Sequence, residues 1–291
     1  MTFEEFESAN PLFRVIPVGN GVTLIRDVMD VGMYLVEGAR SAALLDTGIG
    51  IGELAPVIRE ITSLPVTVYL THGHVDHVGG ISGFRKIVVP EADAGLMAVH
   101  SAAWLRRDFA SAYNPQLMEI EDLRDHMPDG AGDICVCRPG DVIDLGGRTL
   151  IVLDLCGHTR GSVGFLDDKT GMLFAGDGCN NATFLFLRES ASVAEYRDTM
   201  IKLKADWMPK IRRILICHAY YLNTPITVVD DMIDCCDRVL AGNGTDEVFE
   251  LPYKPFRNGV ARWAADGKDD RRSYDGCFGN LIFSESRNRT N

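Results

Sequence analysis

Residues 71–80 read THGHVDHVGG, which places His72, His74, Asp76 and His77 within six positions and uses three of the chain's seven histidines. On extended backbone the side chains of His72 and His74 point the same way. Asp76 and His77 follow after one spacer, and Gly79-Gly80 predict a tight turn beneath them. Imidazole and carboxylate together suit zinc, iron or manganese. Four donors in six residues could serve two ions but would crowd one, and a catalytic site needs further ligands while keeping a water position open.

Those further ligands are expected at the C-terminal ends of later strands. His158 ends LIVLDLCGH, Asp177 ends MLFAGD and His218 ends RRILICH, so five of seven histidines stand at strand ends. His100 and His126 fall in the helical middle and are expected on helix surfaces.

With 291 residues and 46% hydrophobic content the chain can bury a large core. A formal charge of −12 argues against a nucleic-acid partner, which usually selects a basic patch. Pairs such as Arg106-Arg107, Arg212-Arg213 and Arg271-Arg272 are expected on solvated faces. The acidic start lacks the basic and apolar regions of a secretory signal, and no apolar run reaches a bilayer-spanning length, so a cytoplasmic protein with no membrane partner is expected. The eight cysteines form no recognisable disulfide or zinc-finger spacing and read as reduced thiols.

Short β-rich runs alternating with helical ones predict an α/β fold. GVTLIRD, GMYLVEG and SAALLDTG read as successive strands, followed by a helix over about 53–63 with Leu54, Ile58 and Ile61 on one face. PVTVYLTHG is a strand leading into the histidine cluster, and RKIVVP is the next. Residues 91–130 read as two or three helices. Beyond them come the strand RTLIVLDLCGH, a hairpin turning at DDKTG, a helix opened by a Ser192/Glu195 capping box, the strand RRILICH, a helix over 227–241 and the strand NLIFS. Each half offers a strand ending in an Asp-Gly loop, a helix, and a strand that delivers histidine. The expectation is one domain over 1–291, with a helical insertion at about 91–130 between two similar halves.

Taken in order, the motifs resemble those of the metallo-β-lactamase-fold hydrolases, over about residues 15–284. THGHVDH resembles that superfamily's His-x-His-x-Asp-His signature, LLDTG its first aspartate motif, CGHTRGSVGF its third, LFAGDG its fourth and ICHAY its fifth. The resemblance implies a four-layer αββα sandwich, with two sheets face to face and helices outside. It also implies a dinuclear site: His72, His74 and His158 on one ion, Asp76, His77 and His218 on the other, Asp177 bridging, and Asp46 orienting the ligand loop. Zinc is the first expectation, with iron and manganese as alternatives. A bridging water with its pKa lowered towards 7 would supply the nucleophile, and Asp76 would pass a proton to the leaving group.

Within the family, the missing signal and acidic surface argue against exported β-lactamases and nucleic-acid-processing branches. What remains is hydrolysis of a small ester, thioester or lactone, in the glyoxalase II-like or lactonase-like manner. Phosphodiester or β-lactam-type amide hydrolysis on the same site is the alternative. In another class stands a metal-containing sensor or binding protein without turnover, and a redox iron protein is a third reading. Arg160, where the family commonly has proline, is a candidate contact for an anionic substrate group. Tyr220, Tyr221 and Asn180 are candidate substrate contacts, each also explained by packing or turn chemistry. Cys156, Cys179 and Cys217 are expected to be small buried fillers. The partner is a small molecule, and a homodimer through the middle helices or the tail is open.

Overall fold

The computed structural model describes residues 11–119, 127–218, 224–244, 247–256, 258–264 and 279–285, together with the short strand Phe6–Glu7. The chain forms two compact units, Met1–Ile151 and Val152–Asn291.

The first unit is an eight-stranded sheet whose strands lie in chain order. Strands Phe13–Gly19, Val22–Asp27, Gly32–Glu37 and Ala42–Leu45 pair antiparallel in succession. Direction then changes: Ala42–Leu45, Val66–Tyr69, Lys86–Pro90 and Asp133–Cys137 are mutually parallel. Parallel pairing needs a crossover. The first is the helix Leu54–Ile61, whose Leu54, Ala55, Val57 and Ile58 are buried among Leu35, Leu44, Val68 and Ile87. Each fully buried leucine or isoleucine stabilises by roughly 1.5–3 kcal/mol, so the stripe suffices to seat a helix of eight residues. Because Ala42–Leu45 and Val66–Tyr69 run in the same direction, the chain leaves both at one sheet edge, where Asp46 and the stretch from Thr71 to His77 follow.

Among the strands of this unit that the sequence reading leaves out, two show the reason. Phe13–Gly19 alternates correctly at first, with Phe13 and Val15 buried and Arg14 exposed, but Pro17 masks it. Its register shifts between Pro17, which pairs with Thr23, and Gly19, which pairs with Val22, so that Val18 is passed over. Asp133–Cys137 is an edge strand exposed at all positions but Cys137, so no buried face marks it. The insertion holds the helices Ala94–His100, Ala103–Tyr113 and Pro115–Met118, and residues 120–126, including His126, lie outside the described residues. Two expectations fail here. His100 is buried, not on a helix surface, and Arg106 is buried while its neighbour Arg107 is exposed.

In the second unit the expected hairpin pairs Val163–Asp167 with Met172–Gly176. Its turn is held by Asp167, whose side chain accepts the Lys169 N–H and whose carbonyl accepts that of Gly171. Helix Val193–Asp206 carries the full capping box, Ser192 accepting the Glu195 N–H while Glu195 accepts that of Ser192. It leads to Arg213–Ile216, parallel to Met172–Gly176. These strands belong to a five-stranded sheet with Val142–Asp144 and Thr149–Asp154, the latter containing the boundary between units. A three-stranded sheet of Thr183–Leu185, Leu281–Ser284 and Ala261–Trp263 packs Phe186, Leu187, Leu251 and Ile282, and only its middle strand is legible in the sequence. Each unit thus contains the strand–helix–parallel strand element that the halves' similarity suggests. No helix of the described residues is long and apolar enough to cross a membrane.

Candidate metal centre

In the first unit the histidine stretch is fastened to Asp46. This residue sits at φ +62°, a left-handed conformation that costs a non-glycine residue energy and turns its carboxylate back onto the following strand's exit. Its Oδ1 accepts the Thr71 N–H at 2.7 Å, and its Oδ2 accepts the Thr71 hydroxyl at 2.8 Å and faces His77 Nδ1 at 2.9 Å. The Thr71 oxygen also lies 3.0 Å from His72 Nδ1.

Proton positions follow from these contacts. A carboxylate only accepts, so Thr71 spends its single hydroxyl proton on Asp46 and must accept from His72. His72 therefore holds its proton on Nδ1, and so does His77, which donates directly to Asp46. Both imidazoles are left with Nε2 as a lone-pair donor. One buried carboxylate sets two tautomers. His74, the residue preceding the short helix Val75–Val78, has its ring edge-on to that of His72 with centroids 4.7 Å apart. The ring of His100 stacks on that of His74 at 5.5 Å, a contact the sequence reading missed because a lone histidine in a helical stretch gives no signal of its neighbour. Asp76 Oδ2 lies 3.8 Å from His77 Nε2.

The glycines that close the motif act differently from expectation. Gly79 has φ −66° and ψ −34°, ordinary helical values, so no tight turn requires it. Closeness does. A Cβ on Gly79 would stand 2.1 Å from the Ile49 carbonyl oxygen, and one on Gly80 2.3 Å from that of Thr47. The loop after Asp46 lies directly on the helical turn after His74, tied by Thr47 N–H and hydroxyl to the His77 carbonyl and by Gly79 N–H to Gly48.

The same loop is held from below by Asp27, buried at the end of its strand. Its carboxylate accepts the N–H groups of Met29, Val31 and Ile49. Desolvation by burial, with a smaller push from the charge of Asp76, raises its pKa from 3.8 to about 6 against the lowering effect of those bonds. The folded protein therefore holds this proton more tightly than the unfolded chain. Its contribution to stability is fully present below about pH 4, falls as the pH rises towards 6 and is constant above. The slope approaches about 1.4 kcal/mol per pH unit in that window. Urea unfolding of wild type and Asp27→Asn between pH 4 and 7 should show the stability of the wild type relative to the variant falling as the pH rises towards 6 and level above it, whatever the offset between the two proteins.

In the second unit, His158, Asp177 and His218 come together. Nδ1 of His158 lies 3.1 Å from the Phe184 carbonyl, which can only accept, so again the proton sits on Nδ1 and Nε2 offers a lone pair. That Nε2 is 3.6 Å from Asp177 Oδ2, and His218 Nε2 is 3.3 Å from the same oxygen. Tyr196 organises the loops beneath. Its hydroxyl donates to the Gly178 carbonyl at 3.0 Å, and its ring occupies the space a Cβ on Gly157 would need.

The imidazole and carboxylate donors suit a divalent ion. Donors about 2.0–2.1 Å from one tetrahedral ion stand about 3.3 Å apart, close to the spacings around Asp177. Lone pairs facing carboxylate oxygens repel unless a proton or a metal cation lies between, and three of the imidazoles are held so that Nε2 faces outward from its anchor.

Other candidates have local roles. Arg160 makes a two-pronged pair with Glu195 at 3.0 and 3.2 Å, which lowers the Glu195 pKa to about 2. Asn180 accepts the Ala182 N–H at 2.8 Å, the turn chemistry of a short loop. Tyr220 and Tyr221 lie outside the described residues. Cys179 and Cys217 are buried and Cys156 is half-buried; burial pushes the Cys179 thiol up to about 12, as expected of a filler.

The sequence pattern of the metallo-beta-lactamase superfamily matches residues 26–209. The chain belongs to the metallo-beta-lactamase superfamily. It is 30% identical to the acyl-coenzyme A thioesterase MBLAC2 of Gallus gallus, over 65% of this chain and 74% of that protein. It is 28% identical to a hydroxyacylglutathione hydrolase of Aeromonas salmonicida, over 59% of this chain and 56% of that protein. A solved β-lactamase domain protein from Burkholderia ambifaria superposes with a TM-score of 0.55 at 18% identity, covering 81% of this chain and 76% of that one. The α/β fold of the metallo-β-lactamase type and the hydrolase class expected from the motifs are those of this superfamily member.

Proposed function

We propose that this superfamily member is a dinuclear metal-dependent hydrolase of small acyl thioesters. His72, His74 and His158 would hold one ion, and Asp76, His77 and His218 the other, with Asp177 shared. The observation that carries the reading is that Nδ1 of His72, His77 and His158 each lies within hydrogen-bond distance of an oxygen that accepts from it, which leaves each Nε2 free to act as a lone-pair donor. Zinc suits that imidazole and carboxylate set, and iron and manganese also do. Two bound divalent ions supply Lewis acidity, enough to bring the pKa of water from 15.7 towards 7. The chain's own residues do the rest. Asp46 keeps His72 and His77 in the donating tautomer, and the Phe184 carbonyl does so for His158. Asp76 would carry a proton to the departing thiolate.

Thioesters come first because both relatives are named for acyl-thiol substrates, one an acyl-coenzyme A and the other a hydroxyacylglutathione. The test is release of free thiol from acyl-coenzyme A and acylglutathione probes, run beside simple esters, lactones and phosphodiesters. Chelation should abolish turnover, and zinc, manganese or iron should restore it. Protein that holds two equivalents of metal yet turns over none of these probes would instead be a binding or sensor protein.

A further inference from the structure

Arg106, in the helix Ala103–Tyr113, is 1% exposed and ranks among the largest fully buried side chains. Burying a guanidinium is expensive unless its donors are met, and the acceptors it meets identify its task. One terminal nitrogen, Nη2, donates to the Pro128 carbonyl at 2.8 Å and to Asp129 at 2.9 Å, within the insertion's own return segment. The other, Nη1, reaches outside the insertion. It donates to the Gly50 carbonyl at 3.1 Å and the Gly79 carbonyl at 3.0 Å.

Those carbonyls belong to the two stretches that carry the candidate ligand apparatus of the first unit. Gly50 lies in the loop that follows Asp46, and Gly79 closes the helical turn that carries Asp76 and His77. The stretches meet backbone to backbone: a Cβ on Gly50 would stand 2.2 Å from the Gly79 carbonyl oxygen and 2.7 Å from Arg106 Nη1. A seam without side chains brings two carbonyl dipoles to one point, where they repel. A single nitrogen with two N–H groups satisfies both.

We propose that Arg106 is a positioning residue that clamps the Asp46 loop onto the Asp76–His77 turn, so that the inserted helices hold the metal ligands in register. Its action runs through two main-chain carbonyls to the Asp46–His77 contact, and it touches no reacting atom. The link to metal affinity rests on the metal-binding reading above; the clamping itself does not.

The test compares wild type with Arg106→Met, which keeps bulk and loses every donor, and Arg106→Lys, which keeps charge and loses the fork. Leu105→Ala, a buried truncation on the same helix, controls for simple loosening. In metal-free protein, hydrogen exchange should quicken in peptides covering 47–52 and 75–80 in both Arg106 variants, while the strand Gly32–Glu37 is unchanged. Zinc affinity, read by competition with a chromophoric chelator, should fall about 10–100-fold, the range for residues that orient metal ligands. The visible spectrum of the cobalt(II) form should change with it. Leu105→Ala should lower thermal stability without either change.

Unaltered exchange in both peptides, or zinc affinity and cobalt spectrum equal to wild type, overturns the proposal. So does a loss that Leu105→Ala reproduces in full. Should Arg106→Met fail to fold, Arg106→Lys is judged by the same readings. If wild type binds neither zinc nor cobalt, the metal reading fails, and the exchange comparison still decides whether the clamp exists.

Discussion

Asp177→Ala is expected to lose bound metal and thioester hydrolysis together, with turnover down by more than about a hundredfold. Residues that merely hydrogen-bond a metal ligand cost about 10–100-fold when removed, so a shared ligand should cost more. The physical ground is the Asp177 oxygen lying 3.3 Å from His218 Nε2 and 3.6 Å from His158 Nε2. If that oxygen served only to pair with imidazolium, replacing it would lower thermal stability and leave metal content untouched. If it is a ligand, Asp177→Asn should also fail, because the neutral amide keeps the shape and loses the charge that attracts a cation. Elemental analysis of both variants, beside a thiol-release assay, separates these outcomes. Arg160→Ala supplies the contrast. Its guanidinium is held by Glu195, so the change should leave metal content as it was and cost no more than the small amount typical of an exposed ion pair.

How far the sequence reveals such a site depends on what kind of constraint acts on each residue. The proposed metal donors are chemically rare types at strand ends, so His72, His74, His77, His158, Asp177 and His218 announce themselves through residue identity and place. The parallel strand–helix–strand elements are equally legible, because Leu54 and Ile58 repeat at helical spacing between two apolar runs. Anchors are less visible. Thr71 looks like any strand-end threonine, yet its one proton decides the tautomer of His72. His100 and Arg106 carry polar side chains in a helical stretch, where solvent exposure is the ordinary expectation. Their burial arises from contacts with residues far away in the chain. Proline hides the strand Phe13–Gly19, and general exposure hides Asp133–Cys137. In each case the missing information is tertiary: which group a side chain meets, rather than what it prefers alone.

Gly79 offers the sharpest separation of these two kinds of information, because they give opposite signs. Its backbone is helical, so by intrinsic preference Gly79→Ala should stabilise the protein by about 0.5–1 kcal/mol. The packing opposes this. The new Cβ would stand 2.1 Å from the Ile49 carbonyl oxygen and 2.9 Å from that of Gly48, both main-chain atoms that no rotamer change can withdraw. Relief requires the Asp46 loop to part from the helical turn. Overpacking of this sort costs about 1–3 kcal/mol. Parting would also strain the Gly79 N–H bond to Gly48 and the Arg106 bond to the Gly79 carbonyl, each worth about 1 kcal/mol. The clash and the lost bonds outweigh the helical preference, and the net expectation is destabilisation of about 3 kcal/mol with weakened metal binding. A Cβ added to Gly95, in the helix Ala94–His100, would meet nothing within 4 Å, so there preference acts alone and Gly95→Ala should stabilise. Urea unfolding of the two variants should therefore move in opposite directions, and a stabilised Gly79→Ala would mean that the seam beneath the histidines is not closed as described.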